Sequence, residues 1–281
     1  MRIGKYKLSI VNWGNFALDG GAMFGIIPKP LWSKTNPPDE INRVTLSTRS
    51  LLLESENKKI LIDTGMGDKW DDKSKTIYRL ENTSPDFTSV LNDFQLSPSD
   101  ITDVILTHLH FDHTGGSTKL ENGKLVPSLP NAKYYVQKKN YEWAINPSDR
   151  DKGSYIKDNF VPLMESSVLN LLNEEDTFDE NISFIIVNGH TISQQLIKIS
   201  DGSNTLLFCC DLFPFSSHIP MPYIMGYDIQ PLITGSEKKK ILKQAVEENW
   251  KLFFYHDPET AYATLTKSEK GIIVNEKFKS F

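Results

Sequence analysis

The sequence predicts a layered α/β protein, because short apolar runs rich in β-branched residues are separated by helical patterns. The runs have the length and composition of strands, and several are followed directly by a histidine or an aspartate. We expect one domain over residues 1–281. The predicted strands cover residues 43–54, 59–63, 101–107, 132–137, 182–187, 194–199 and 205–210.

The intervening helices are predicted from apolar residues at helical spacing. Phe87, Val90, Leu91 and Phe94 follow an i, i+3, i+4, i+7 pattern, with Ser84 and Pro85 as the cap and first-turn proline. A second helix is predicted over residues 236–250, starting at Ser236. Weaker patterns cover residues 138–145 and 163–173, and residues 201–204 (DGSN) predict a hairpin turn.

Composition and charge exclude several classes of protein. The chain has 281 residues, of which 39% are hydrophobic and 24% charged, as in ordinary globular proteins. With 31 basic and 36 acidic residues the formal net charge is −5, which gives no footprint of nucleic-acid binding. The lysine run 238–240 is interpreted as the solvated face of a helix. The N-terminus lacks the apolar core of a signal peptide and no stretch is long enough to span a membrane, so we expect a cytoplasmic protein without a membrane partner.

The two cysteines are adjacent, at Cys209 and Cys210. Neighbours in one strand point to opposite faces, so they are poor partners for a disulfide. The absence of a disulfide framework fits a reducing compartment. Both lie in an apolar run typical of a buried strand, which favours packing over a metal-ligand role for Cys210.

The most informative motif is H-x-H-x-D-H at residues 108–113. Imidazole nitrogens and carboxylate oxygens are the usual donors to zinc and related divalent metals. His108 and His110 have the spacing at which side chains of an extended segment point the same way. Asp112 and His113 follow on a turning segment, so this short run is able to serve two adjacent metal positions.

Further donors follow other predicted strands. Two metal ions in a shared site need about seven or eight donors, and His190, Asp211 and His256 supply the remainder. Asp211 is the candidate bridge, because each of its two oxygens can bind one ion. Asp63 is predicted to support a ligand histidine without binding metal. His218 is interpreted as a loop residue near the pocket and not as a ligand.

The order H-x-H-x-D-H, His, Asp, His resembles that of the metallo-β-lactamase-fold hydrolases, and the resemblance spans nearly the whole chain. Residues 19–32, which begin DGGAMFG, look like the N-terminal signature of the branch that contains quorum-quenching N-acyl-homoserine lactonases and, more distantly, methyl parathion hydrolase. Residues 210–214 (CDLFP) and 254–257 (FYHD) are also similar to that branch.

The resemblance implies an αββα sandwich of two mixed sheets flanked by helices, with a dinuclear centre on one edge. One ion would be held by His108, His110 and His190, the other by Asp112, His113 and His256, with Asp211 bridging. Zinc suits these donors, although manganese, iron and cobalt fit the same positions. The expected reaction is opening of an N-acyl-homoserine lactone ring by a metal-bridging hydroxide, with Asp112 passing a proton to the leaving alkoxide.

The substrate is expected to be a small lactone or ester. Met23, Phe24, Trp32 and the segment 220–225, which includes Tyr223, are apolar enough to receive an acyl chain. The N-terminal loop is equally suited to a homodimer interface. Two features depart from the branch, namely residues 191–195 (TISQQ) after His190 and residues 212–215 (LFPF), where some lactonases carry a tyrosine. Either another group such as Tyr223 contacts the substrate carbonyl, or the substrate differs.

Two alternatives therefore stay open. One is an organophosphate triesterase or arylesterase with the same centre, since hydroxide attacks phosphorus as well as carbon. The other is a non-catalytic metal-binding module on this fold. A full set of seven ligands argues against the second alternative.

Overall fold

The computed structural model describes residues 1–80 and 86–281, so Ser84 and Pro85 lie outside the described residues. The strands are β1 Arg2–Ile3, β2 Tyr6–Asp19, β3 Arg43–Glu54, β4 Lys59–Ile62, β5 Asp103–Ile105, β6 Thr118–Glu121, β7 Lys124–Pro127, β8 Lys133–Gln137, β9 Leu169–Leu172, β10 Ile182–Val187, β11 Gln194–Ser200, β12 Thr205–Phe208, β13 Lys251–Phe253, β14 Tyr262–Ser268 and β15 Gly271–Phe278. The helices are α1 Gly20–Phe24, α2 Lys29–Trp32, α3 Asp72–Tyr78, α4 Phe87–Asn92, α5 Phe111–Thr114, α6 Lys138–Ile145, α7 Val161–Glu165 and α8 Pro231–Glu247.

Two mixed sheets form the centre of the molecule. The first has the order β1-β2-β3-β4-β5-β8-β9, antiparallel up to β4 and parallel from β4 onward. The second has the order β10-β11-β12-β13-β14-β15 and is antiparallel except for the pair β12 and β13. Strands β6 and β7 form a separate hairpin.

The two faces of the first sheet are both buried. Along β3, Leu51 and Leu53 pack into a core shared with strands of the second sheet, whereas Leu52 packs with Leu91 of α4 and Ala144 of α6. This alternation has the period of two that a strand imposes. The outer face of the second sheet receives α8 through Ile241, Leu242 and Ala245. Helices therefore cover both outer faces, and the αββα sandwich is confirmed.

The strands that precede the candidate ligands end on one edge of the sandwich. Strands β4 and β5 are parallel neighbours in the first sheet. In the second sheet β10 and β12 are both antiparallel to β11, and β13 is parallel to β12. The carboxyl ends of β10, β12 and β13 consequently share an edge, which gathers the residues that follow them.

Several predicted elements agree closely with the structure, including β3, β10 and α6, and the 201–204 turn joins β11 to β12. The Asp201 carboxylate stabilises that turn by accepting hydrogen bonds from the amides of Ser203 and Asn204. The prediction of a helix over 163–173 is wrong for most of its length. Helix α7 ends at Glu165, and a strand, β9, follows.

Several other boundaries also differ from prediction. The strand predicted over 205–210 ends at Phe208, and Cys210 has a positive φ of 47° at the start of a short 3-10 turn. Helix α8 begins at Pro231 and not at Ser236, because the proline occupies a first-turn position, where its missing N–H costs nothing. Among the helices of residues 1–80 and 86–281, none combines the length and apolar character needed to cross a lipid bilayer.

Candidate metal centre

The H-x-H-x-D-H motif changes conformation halfway, as its spacing predicts. His110 is extended, with φ −66° and ψ 154°, and α5 begins at the next residue and carries Asp112 and His113. Gly115 then brings the chain so close to the backbone of Met66 that a Cβ atom would overlap its carbonyl group. The glycine after the motif is therefore required by packing.

The second sheet supplies three more side chains. His190 follows β10, Asp211 lies in the 3-10 turn after β12, and His256 follows β13. All three are at least nine-tenths buried. The amide of Ser47 in β3 donates to the carbonyl of His256, which ties the His256 loop to the first sheet.

The seven side chains form two adjoining groups at one edge of the sandwich. His108, His110, His190 and Asp211 have candidate ligand atoms within 4.8 Å of one another, and so do Asp112, His113 and His256. The seven residues that the sequence singled out are thus brought together.

Asp211 lies between the two groups. Its Oδ2 atom is 3.1 Å from His190 Nε2 and 4.0 Å from His108 Nε2. Its Oδ1 atom is 3.2 Å from His113 Nε2 and 3.3 Å from His256 Nε2. Each oxygen of the carboxylate therefore faces one group.

The other nitrogen of three histidines is held by a fixed partner. His113 Nδ1 donates to Asp63 Oδ2 at 2.8 Å, His190 Nδ1 donates to Asp228 Oδ1 at 2.9 Å, and His256 Nδ1 donates to the Ser47 carbonyl at 3.0 Å. Such bonds fix the tautomer that leaves Nε2 free to bind a metal. The predicted supporting position of Asp63 agrees with this geometry.

The donor set fits a cation. The Nε2 atoms of His108 and His113 are buried, and neither makes a hydrogen bond within the described residues. Buried polar nitrogens without partners are costly and rare in folded proteins, so a ligand that accepts their lone pairs is expected. The Nδ1 atom of His110 also lies only 3.0 Å from His190 Nε2, so that both nitrogens face the same space.

The charges of the centre also suit a bound cation. Burial and the neighbouring histidines hold the pKa of His108 and of His110 well below the usual value, so both imidazoles are neutral, as metal ligation requires. Burial acts to raise the pKa of Asp211, but His113, His256 and His190 outweigh it and hold that pKa well below its usual range. Burial acts to lower the pKa of His113 and of His190, but Asp211 outweighs it, so the pKa of His113 is well above its usual value and that of His190 is about 10. The centre thus presents an ionised carboxylate among two neutral and two protonated imidazoles, and a bound cation would displace those protons.

Cys210 and His218 lie close to the centre, and the Cys210 Sγ atom forms a third candidate ligand group with His108 and His113. The Cys210 Sγ atom is 2.9 Å from Thr107 Oγ1 and 3.5 Å from His108 Nδ1, on the side of the ring opposite Nε2. Burial raises the pKa of the Cys210 thiol to about 12, so the thiol is protonated. His218 lies in a 3-10 turn, donates from Nε2 to the Met23 carbonyl and stacks on Phe24.

A cleft with a volume of about 260 Å³ opens onto the centre. Of the four residues predicted to bind substrate, Met23 lines this cleft. Phe24 and Trp32 belong to the same apolar cluster as Met23, and Tyr223 packs against that cluster. Phe24 stacks on Trp32 at 5.0 Å and makes an edge-to-face contact with Tyr223 at 6.2 Å. These three side chains support the wall of the cleft and do not form its surface.

Residues 43–256 match the family model described as the metallo-beta-lactamase superfamily. The chain belongs to this superfamily. The match covers the first-sheet strands from β3 onward and all seven residues of the candidate centre.

Relatives and solved structures agree with this assignment. The N-acyl homoserine lactonase AttM of Rhizobium radiobacter is 27% identical over 176 residues, which are 61% of this chain and 63% of AttM. A solved structure of a probable metal-dependent hydrolase from Staphylococcus aureus is 28% identical, with a TM-score of 0.89 over 99% of this chain and 100% of that one. The dizinc quorum-quenching lactonase AidC shares the fold, with a TM-score of 0.81 at 22% identity over 99% of this chain and 97% of AidC.

In this metallo-beta-lactamase superfamily member, the sequence did not reveal most of the cleft. Phe111 lies inside the metal motif, so its place beside the ligands was available from the pattern. The other residues come from separate strands, helices and loops and carry no motif. The lining residues that the sequence analysis missed are Leu18, Leu46, Tyr78, Phe111, Arg150, Gly153, Ser154 and Tyr227; Met225 was foreseen only as part of the apolar 220–225 segment.

Proposed function

We propose that this protein is a dinuclear metal-dependent lactonase that opens the ring of N-acyl-homoserine lactones. The observation that carries the proposal is the placement of Asp211 between two groups of donors at the floor of a cleft. We assign His108, His110 and His190 to one ion and Asp112, His113 and His256 to the other, with Asp211 bridging. Zinc is the metal that this mixed nitrogen and oxygen set favours.

The chemistry that two bound ions supply is a lowered pKa of a shared water and polarisation of the substrate carbonyl. The protein's part is to hold the donors rigidly at one edge of two sheets. Asp112 lines the cleft, and its Oδ2 atom lies 3.5 Å from His256 Nε2. This position allows Asp112 to act as ligand and also to receive a proton and pass it to the leaving oxygen.

The walls of the cleft suit a substrate with an apolar chain and a polar head. Met23, Met225, Leu18 and Leu46 present apolar surface, in keeping with an acyl chain. A site that binds such substrates is typically apolar with a few placed polar groups.

The polar groups at the cleft come from Tyr78, Tyr227 and Arg150. Burial raises the pKa of both tyrosines, with a further contribution from Asp112, so both hydroxyls are protonated donors. We therefore propose Tyr78 and Tyr227, in place of Tyr223, as the donors to a substrate oxygen.

Replacing Asp211 by alanine tests the proposal. D211A should lose bound metal and all lactone turnover, measured by elemental analysis and by a pH-indicator assay on acyl-homoserine lactones of several lengths. D149A is the matched control, because Asp149 is exposed and its ion pair in the described part of the chain is with Lys152, on the surface. Full activity in D211A would contradict the assignment of the bridge.

The alternative substrate class is tested in the same assay. Residues 212–215 (LFPF) lack the tyrosine found in some lactonases, a departure that a triesterase or arylesterase would accommodate. Turnover of paraoxon-like esters without turnover of lactones would favour that class. A metal-replete protein inert to both sets of compounds would favour a non-catalytic module, although the open cleft beside the ligands argues for catalysis.

A further inference from the structure

Lys238 is buried, although it belongs to a run of three lysines that the sequence predicts to be solvated. Lys239 and Lys240 are exposed as expected, whereas Lys238 is 0% exposed. A buried ammonium group is costly unless every donor is satisfied. Burial lowers the pKa of Lys238 to about 7, and the nearby Asp228 opposes that shift.

All three hydrogen bonds of Lys238 Nζ go to one short segment. The acceptors are the carbonyl oxygens of His218 at 2.7 Å, Pro220 at 3.1 Å and Tyr223 at 2.6 Å. An ammonium group has three donors, so its capacity is spent on residues 218–225, which we call the wall segment. No other side chain bonds to three carbonyls of that segment in the part of the chain that the structure describes.

The wall segment places two of the apolar side chains of the cleft. Met225 is its last residue and lines the cleft directly. His218, the first residue of the segment, donates to the carbonyl of Met23. Gly226, the residue directly after the segment, donates its amide to the carbonyl of Ala22 at 2.8 Å. The segment therefore holds α1, and with it Met23, against the cleft.

Neighbouring residues of α8 hold the metal side of the site. Thr234 donates to Asp228, which accepts from His190, and Glu237 accepts from the amides of Asn188 and Gly189. These contacts reach a candidate ligand, whereas those of Lys238 reach the wall segment. Within the first turns of α8, Thr234 and Glu237 therefore support the candidate metal ligands, whereas Lys238 supports the wall segment.

We propose that Lys238 is a positioning residue for substrate, which fixes the wall segment and so sets how tightly the cleft holds the apolar chain. The inference rests on the proposed lactonase function for its kinetic readout, but not for its structural one. It assigns no chemical step to Lys238.

The test compares K238M with K239M, a matched change on the exposed side of the same helix. K238M removes the charge and the donors but keeps a long side chain. For acyl-homoserine lactones with long chains, KM should rise about tenfold, the loss expected from part of one buried methionine contact. The rise should shrink for the shortest chains, with kcat and metal content near wild type, and K239M should match wild type throughout.

Hydrogen exchange of residues 218–225 gives a readout without substrate. Exchange should be faster in K238M than in wild type and K239M, and intermediate in K238Q, which keeps an NH₂ donor. K238Q also serves if K238M fails to fold. Unchanged exchange in K238M, or a lowered melting temperature of K238M with unchanged KM, would overturn the inference. Absence of any lactone turnover in wild type would refute the proposed function alone, because the exchange result would stand.

Discussion

Asp228 and Asp63 offer a way to weaken the two proposed metal positions one at a time. Asp228 Oδ1 holds His190, a candidate ligand of the first ion, and Asp63 Oδ2 holds His113, a candidate ligand of the second. Replacing either aspartate by asparagine keeps the shape of the side chain but removes the charge that fixes the imidazole. Each variant should therefore weaken one ion and spare the other.

The magnitude follows from the two hydrogen bonds. Both lie in buried surroundings, at 2.9 Å for His190 and 2.8 Å for His113, and a charge-assisted bond of this kind contributes about 1.5–3 kcal/mol. At about 1.4 kcal/mol for each factor of ten, the affinity for the affected ion should fall roughly 10–100-fold, the range typical of groups that orient a metal ligand.

The assay is a chelator titration followed by elemental analysis. D228N and D63N should each retain one tight ion where wild type retains two, and D149N, altered at an exposed aspartate, should match wild type. Loss of both ions together in both variants, or of neither, would refute the assignment of two separable positions.

Three further changes test the surroundings of the centre. Burial lowers the pKa of His218 to about 3, whereas its value in the unfolded chain is about 6.5. Below pH 6.5 the unfolded state therefore binds one more proton than the folded state, and the free energy of unfolding decreases as the pH is lowered. At pH 5.5 this cost is about 1.4 kcal/mol, and H218F should remove it from the pH dependence of urea unfolding. Arg49 Nη1 donates to the carbonyls of Phe254, Asp257 and Thr260 around His256, so R49M should lower the free energy of unfolding by roughly 2–3 kcal/mol; an unchanged midpoint would contradict that role. In G189A the added Cβ would overlap Thr234, so both the melting temperature and the metal content should drop, whereas G202A, at a site with open space around it, should leave the metal content intact.

The parts of the site that the sequence predicted are those set by local rules. The ligand spacing at 108–113 follows from the side-chain geometry of an extended segment and a helical turn, and both are present. Strands such as β3 and β10 were recognisable because burial on one or both faces requires apolar, β-branched residues.

The parts that were missed depend on contacts between distant segments. Tyr78, Arg150 and Tyr227 meet at the cleft although about 150 residues separate the first from the last, and no local pattern records that meeting. The burial of Lys238 was missed for the same reason. Its charge and the neighbouring lysines predict exposure to solvent, and only its contacts with the distant wall segment explain why it is buried.

The candidate ligands come from both sheets, with residues 108–113 following β5 and His190, Asp211 and His256 following strands of the other sheet. Any ion bound there would act as a clamp across the open edge of the sandwich. By mass action such a clamp favours the folded chain, so the lifetime of the protein should depend on how well its surroundings supply metal. A shortage of that metal would therefore cost the protein its fold as well as its activity.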